Sequence, residues 1–213
     1  MPVHTFTFSD FQENTYLLEA DNKECAIVDP GCYYEGEQNQ LKLHIEQHGL
    51  KPVKLLNTHC HLDHVFGNKF VADTYQLEVE SHKGEAVVLQ AVPLVCQAYG
   101  IRGYQESPAI TKFLNEGDKV CFGNIELEVL FVPGHSPAHI AFYNKKEGYI
   151  IGGDVLFYQS IGRTDLPGGN HQTLLSSIKS KFWPLPNDTV VYPGHGPSTT
   201  IGFEKQHNPF LNN

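Results

Sequence analysis

The stretch 57-NTHCHLDHVFGN-68 sets three histidines and an aspartate within six residues, directly after the apolar run 53-VKLLN-57. Imidazole and carboxylate groups at such spacing are the donor set of a divalent metal site. In extended backbone, neighbours point to opposite faces, so His59 and His61 share a side and Cys60 turns away from it. Cys60 is therefore expected in the core, not on an ion.

Outward from this motif, three more donors follow apolar runs. His135 comes after 125-IELEVLFVPG-134, Asp154 ends 149-YIIGGD-154, and His195 comes after 188-DTVVYPG-194. Side chains held just past strand ends, on loops braced by a rigid sheet, are where α/β proteins build sites. His59, His61, Asp63, His64, His135, Asp154 and His195 make seven donors, too many for one tetrahedral ion. With Asp154 bridging, they suit two divalent ions that share and activate one water. Zinc is the first expectation, with iron(II) or manganese(II) as alternatives. Two such cations outweigh two aspartates and a hydroxide, so an acidic protein would present a positive floor to an anionic substrate.

The 213-residue chain carries twelve histidines, where ordinary usage would give about five. Its net charge is −9, and Arg102 and Arg163 are its only arginines, which argues against nucleic-acid and anionic-membrane partners. No apolar run is long enough to span a membrane, and the N-terminal MPVHTFTFSD has no signal-peptide pattern. Five cysteines without a CxxC pair fit a reducing, cytoplasmic compartment.

The hydrophobic pattern predicts strands at 3–9, 15–20, 24–29, 53–59, 119–123, 125–133, 138–144, 149–154 and 188–194, and helices at 37–49, 65–75, 84–100 and 171–182. Pro93 should kink or interrupt the third helix. Strands, helix, strand and then the same again describe one layered α/β domain over 1–213, two β-rich halves with helices outside.

The pattern 59-HCHLDH-64 with His135, Asp154 and His195 in order resembles the metallo-β-lactamase superfamily motif. That resemblance implies a four-layer αβ/βα sandwich of two mixed β-sheets. It assigns His59, His61 and His135 to one ion and Asp63, His64 and His195 to the other, with Asp154 between them. Asp63 is further implied as a proton acceptor. The segments 133-PGHSPAHI-140, 162-GRTDLPGG-169 and 193-PGHGPSTTIGFEKQHNPFL-211 are similar to glyoxalase II-like hydrolases of a short bacterial form. The implied reaction is hydrolysis of a small thioester, an acylglutathione such as S-lactoylglutathione. Longer glyoxalase II enzymes add a C-terminal helical domain that helps bind glutathione; only 18 residues follow His195 here.

Rival readings keep the same ligands. A persulfide dioxygenase would use one iron(II) and has a similar HxHxDH and GRTD. A lactonase or phosphodiesterase, and a non-catalytic metal scaffold, are further alternatives. An antibiotic-cleaving β-lactamase is disfavoured, since a cysteine fills the position of Asp154 in its commonest zinc classes. Arg163 could clamp an anionic substrate or pair with Asp165 to hold its loop. Tyr158 and the stretch 99-YGIRGY-104 are candidates to line the mouth, and His139 is expected as a buried brace. The sequence specifies neither the acyl group nor the oligomeric state.

Overall fold

The computed structural model describes residues 3–211. The predicted strand–helix alternation is present, in two six-stranded sheets among the described residues. The first half forms β1 (Val3–Phe8), β2 (Glu13–Glu19), β3 (Glu24–Val28), α1 (Glu35–Gln47), β4 (Lys51–Leu56), α2 (Leu62–Val65), α3 (Asn68–Tyr75), β5 (Val79–Ser81), α4 (Ala86–Ala98) and β6 (Ile110–Phe113). Its sheet has the order β1-β2-β3-β4-β5-β6, antiparallel from β1 to β3 and parallel from β3 to β6.

The second half forms β7 (Lys119–Phe122), β8 (Ile125–Phe131), β9 (Ile140–Asn144), β10 (Tyr149–Gly153), the small hairpin β11 (Leu156–Phe157) and β12 (Ser160–Ile161), α5 (His171–Ser177), β13 (Val190–Pro193), β14 (Thr199–Thr200) and α6 (Ile201–His207). Its sheet has the order β14-β13-β10-β9-β8-β7.

The period-2 alternation of strands sorts side chains into three cores and hence four layers. Tyr16, Leu18, Ala26, Val28 and Leu56 face Leu127, Val129, Ile140, Phe142 and Ile151 between the sheets. The alternate residues Leu17, Cys25, Ile27 and Leu55 meet Leu41 and Ile45 of α1, Val71 of α3, and Leu89 and Val92 of α4. On the far side, Ala141, Tyr143, Ile150 and Val191 pack under Leu174, Ile178, Phe182 and Ile201. This is the helix–sheet–sheet–helix sandwich that the motif implied.

Three local expectations need correction. The strand expected over 53–59 stops at Leu56, and the helix expected over 65–75 is two helices, α2 and α3. Pro93 does not break its helix: α4 runs from Ala86 to Ala98 straight through it. Leu89, Val92 and Cys96, three and four residues apart, bury one continuous stripe, and that packing outweighs the hydrogen bond proline cannot donate. The short strands β5, β6, β11, β12 and β14 and the helix α6 were not anticipated.

Candidate metal centre

All seven donors stand on loops or a short helix that follow the C-terminal ends of β4, β8, β10 and β13. α2 is a single turn that carries Asp63 and His64 on one wall, with His61 as its N-cap residue. Asp154 follows Gly153, whose φ of 52° a side chain would strain; a Cβ there would also stand 2.4 Å from Thr58 Oγ1. His195 follows Gly194, where a Cβ would lie 2.0 Å from Asp154 Oδ1. Only glycine lets the last loop approach so closely.

The seven side chains meet. His59, His61 and His135 present ligand atoms within 4.8 Å of one another, as do Asp63, His64 and His195. Asp154 lies between the two groups. Its Oδ2 is 3.4 Å from His135 Nε2 and 3.6 Å from His195 Nε2, and its Oδ1 is 3.5 Å from His64 Nε2. His195 Nε2 is 3.1 Å from Asp63 Oδ2, and His61 Nδ1 is 2.8 Å from His135 Nε2. Two ligands on one tetrahedral zinc, each about 2.0–2.1 Å from it, stand about 3.3 Å apart. The donor spacings, from 2.8 to 3.6 Å, bracket that value.

Unsatisfied atoms give the same answer. His59 Nε2, His64 Nε2 and Asp154 Oδ1 are buried without a hydrogen-bond partner, while His64 Nδ1 faces Asp29 Oδ2 at 3.2 Å. Such groups are costly unless something pairs with them. The residues present thus fit one or more divalent ions.

The surroundings prepare each imidazole. Thr58 donates its N–H to Asp29 Oδ1 at 2.7 Å and its hydroxyl to Asp29 Oδ2 at 2.6 Å. Having spent its proton, Thr58 Oγ1 can only accept from His59 Nδ1, 3.1 Å away. His59 Nε2 therefore keeps its lone pair. His135 Nδ1 donates to the Arg163 carbonyl at 2.7 Å, which leaves His135 Nε2 bare in the same way. Burial and the neighbouring imidazoles push His59 and His135 below the usual histidine range and His61 down to about 4. At the other corner, burial disfavours charge on His64, yet Asp154 and Asp63 lift its pKa well above the usual value. Burial likewise opposes ionisation of Asp154 and Asp63, and the facing histidines still hold both carboxyls low. The field at that corner favours positive charge, a proton or a metal ion alike.

Several supporting residues escaped the sequence reading. Asp29 ends β3 as Asp154 ends β10, so 24-ECAIVDPG-31 carried the same strand-then-acid signal. Both Asp29 oxygens are engaged by Thr58, which makes it a brace although it neighbours His59 and His64. Glu85 accepts from Cys60 N at 2.9 Å, Ser136 Oγ at 2.6 Å and Ala138 N at 2.9 Å, tying the loops of His59 and His135 together. The first sheet also fixes the last loop. Asn14 N donates to the Gly194 carbonyl at 2.7 Å, its side chain reaches the Pro193 and Gly196 carbonyls, and the Tyr16 hydroxyl donates to Pro193 O at 2.6 Å.

His139 is a buried brace: its Nε2 accepts from Asp154 N at 3.1 Å, and its ring stacks on His59. Cys60 is fully buried in the core cluster that includes Val71 of α3 and Leu89 of α4, and it belongs to neither donor triad. The Arg163 guanidinium pairs with Asp165 through two 2.7 Å bonds, so its side chain holds the loop. Tyr158 is half-exposed and stacks on Phe203 of α6; the ring beside His195 is Phe157.

The Metallo-beta-lactamase superfamily pattern matches residues 9–195, a span that contains every donor described. The chain belongs to that superfamily. Among curated relatives, it is 41% identical over 202 residues to the probable metallo-hydrolase YqgX of Bacillus subtilis (strain 168), covering 94% of this chain and 93% of that one. It is 37% identical over 213 residues to the hydroxyacylglutathione hydrolase GloC of Haemophilus influenzae, covering 100% and 99%. Among solved structures, the BLEG-1 B3 metallo-beta-lactamase superposes with a TM-score of 0.91 at 38% identity, covering 100% of both chains. TTHA1623, in a di-iron-bound form, gives 0.88 at 37% identity, covering 98% of this chain and 100% of that one. No helix among the described residues is long and apolar enough to cross a membrane.

Proposed function

We propose that this superfamily metallo-hydrolase cleaves a small thioester, with an acylglutathione as the first candidate, at a site holding two divalent ions. The observation that carries this reading is the pair of donor triads with Asp154 between them. His59, His61 and His135 would hold one ion, Asp63, His64 and His195 the other, and Asp154 would touch both. Bound there, zinc or another divalent metal supplies Lewis acidity, which makes a water nucleophilic at neutral pH and polarises a carbonyl.

The chain's own residues do the rest. Thr58–Asp29 and the Arg163 carbonyl fix the tautomers of His59 and His135, so no proton competes for their inward nitrogens. Asp63 stays ionised, with its Oδ2 beside His195, where it can accept the proton of an attacking water. His59, His135, Asp63 and His64 are buried, which strengthens each electrostatic contact there, while the partly exposed His61 and His195 face the side from which a substrate can enter. The likeness to GloC supports a thioester with a glutathione leaving group. The five free cysteines, four of them buried, support a reducing compartment, as the cytoplasm provides.

S-lactoylglutathione hydrolysis, followed at the thioester absorbance with metal content measured in parallel, tests the reading. Asp63→Ala and His61→Ala should abolish turnover while circular dichroism shows an intact fold. Wild-type rates in either variant at equal metal content would refute it. A second reading, β-lactam hydrolysis, is favoured by the likeness to BLEG-1, and nitrocefin turnover in the same preparation separates the two. Oxygen uptake with glutathione persulfide would instead mark a dioxygenase.

A further inference from the structure

Beside α2 lies a cavity of about 350 Å³, within the range of small-molecule sites, that no step above uses. Phe11, Tyr34 and Tyr99 line it and leave much of their ring surface exposed; Arg102 and Asp10 supply its charges. An apolar surface left open around charged groups is the signature of a binding site.

The walls are built rather than accidental. Glu37 accepts from Ser9 N at 2.6 Å and from the Tyr33 and Tyr34 N–H groups at 2.8 and 3.0 Å, so one carboxylate ties the 9–12 turn to the next wall. The Tyr33 hydroxyl donates to the Arg102 carbonyl and pins the third wall. Asp10 Oδ2 accepts from the Tyr34 hydroxyl at 2.8 Å. The two arginines differ: Arg163 is locked to Asp165, while among the described residues no side-chain hydrogen bond or ion pair engages Arg102.

Two chain segments connect the walls of the cavity to the donor loops. Phe66, in its wall, is the C-cap of the turn that carries Asp63 and His64. Phe11 stands two residues before Glu13, which bridges to the backbone of His195. A substrate held at the donor triads could therefore extend an arm into it.

We propose that this cavity receives a zwitterionic α-amino-acid head group on the thiol arm of the substrate, with the carboxylate on Arg102 and the ammonium on Asp10. Its aliphatic stem would lie along the Phe11 and Tyr99 rings. Guanidinium matches carboxylate in a two-pronged geometry that a lone ammonium could not supply. The γ-glutamyl end of glutathione has this chemistry. The proposal locates one end of the leaving group and rests on the thioesterase reading for the acyl side, but the cavity's affinity is measurable without turnover.

The probe is S-methylglutathione, whose thioether cannot compete as a thiolate ligand, titrated calorimetrically into zinc-loaded protein. Arg102→Ala should weaken binding at least tenfold and Asp10→Asn about threefold, and removal of the γ-glutamyl group (S-methyl-cysteinylglycine) should weaken it as Arg102→Ala does. In kinetics, Arg102→Ala should lower the kcat/KM ratio of S-lactoylglutathione to S-lactoyl-N-acetylcysteamine about tenfold, through KM. Equal binding of both probes, no binding of either, or an unchanged ratio in Arg102→Ala overturns the proposal. Binding that depends on Arg102 without hydrolysis of any thioester would instead keep the cavity's role and sink the thioesterase reading.

Discussion

Replacing Glu85 by Gln tests how the two ligand loops are held. The Glu85 side chain is fully buried, and all three of its partners, the Cys60 and Ala138 N–H groups and the Ser136 hydroxyl, donate to it. Burial raises its pKa, while Ser136 and the two backbone groups act against that rise. A protonated carboxyl would set its own O–H against a backbone N–H or turn the Ser136 hydroxyl into an acceptor, so the carboxylate serves the three donors best. Glutamine has the same shape with one acceptor oxygen. Turned to serve Ser136 and Ala138, it aims its NH₂ at the Cys60 N–H. A hydrogen bond to a charged group contributes about 1.5–3 kcal/mol, and a buried N–H left without an acceptor costs a similar amount. The expected loss is about 2–4 kcal/mol, or roughly 5–10 °C in Tm for a chain of this size. Because Cys60 lies between His59 and His61, zinc affinity should also fall about tenfold to a hundredfold. Thermal unfolding of metal-free protein and competitive zinc titration measure both. If Glu85→Gln melts within a degree of the parent and binds zinc equally well, the carboxylate is not the clamp argued here.

Gly194→Ala should cost zinc affinity by a similar factor with little change in helix or sheet content, since the new Cβ would fall 2.0 Å from Asp154 Oδ1 and 2.6 Å from His64 Cε1; zinc titration and circular dichroism check it. Pro93→Ala should stabilise the protein by about 1–3 kcal/mol, because it restores a helix donor without altering the buried stripe of α4, and denaturant melts will read the difference. In metal-free protein, the His61 pKa lies near 4, below the 6.5 of an unfolded histidine. The unfolded chain therefore takes up the proton first, and stability is lost as pH falls from about 6.5 towards 4. Metal-free His61→Ala should show a flatter decline over that window in Tm against pH, and an equal or steeper decline would contradict the assignment.

The short-range features were legible because their physics is short-range. Short continuous apolar runs in 15-TYLLEA-20 and 149-YIIGGD-154 marked strands with two buried faces, and the histidine–aspartate spacing of 59-HCHLDH-64 marked a donor cluster before any coordinates. The order of His135, Asp154 and His195 after apolar runs was equally plain. Short elements such as β5 and β14 were invisible, because three or two residues carry no periodicity and are held only by neighbouring strands. Pro93 misled because a local backbone penalty was weighed without the packing of Leu89, Val92 and Cys96.

The sequence alone, then, determined which side chains could ligate and which strands would carry them, since both follow from residue type and spacing along one segment. Only the tertiary structure decided that Asp154 stands between two groups, that Asp29, Thr58 and Glu85 set tautomers and loop positions, and that Arg163 pairs with Asp165 while Arg102 lines a cavity. Each of these depends on contacts between residues tens of positions apart, and such distances are fixed by how two sheets pack, which no local pattern encodes.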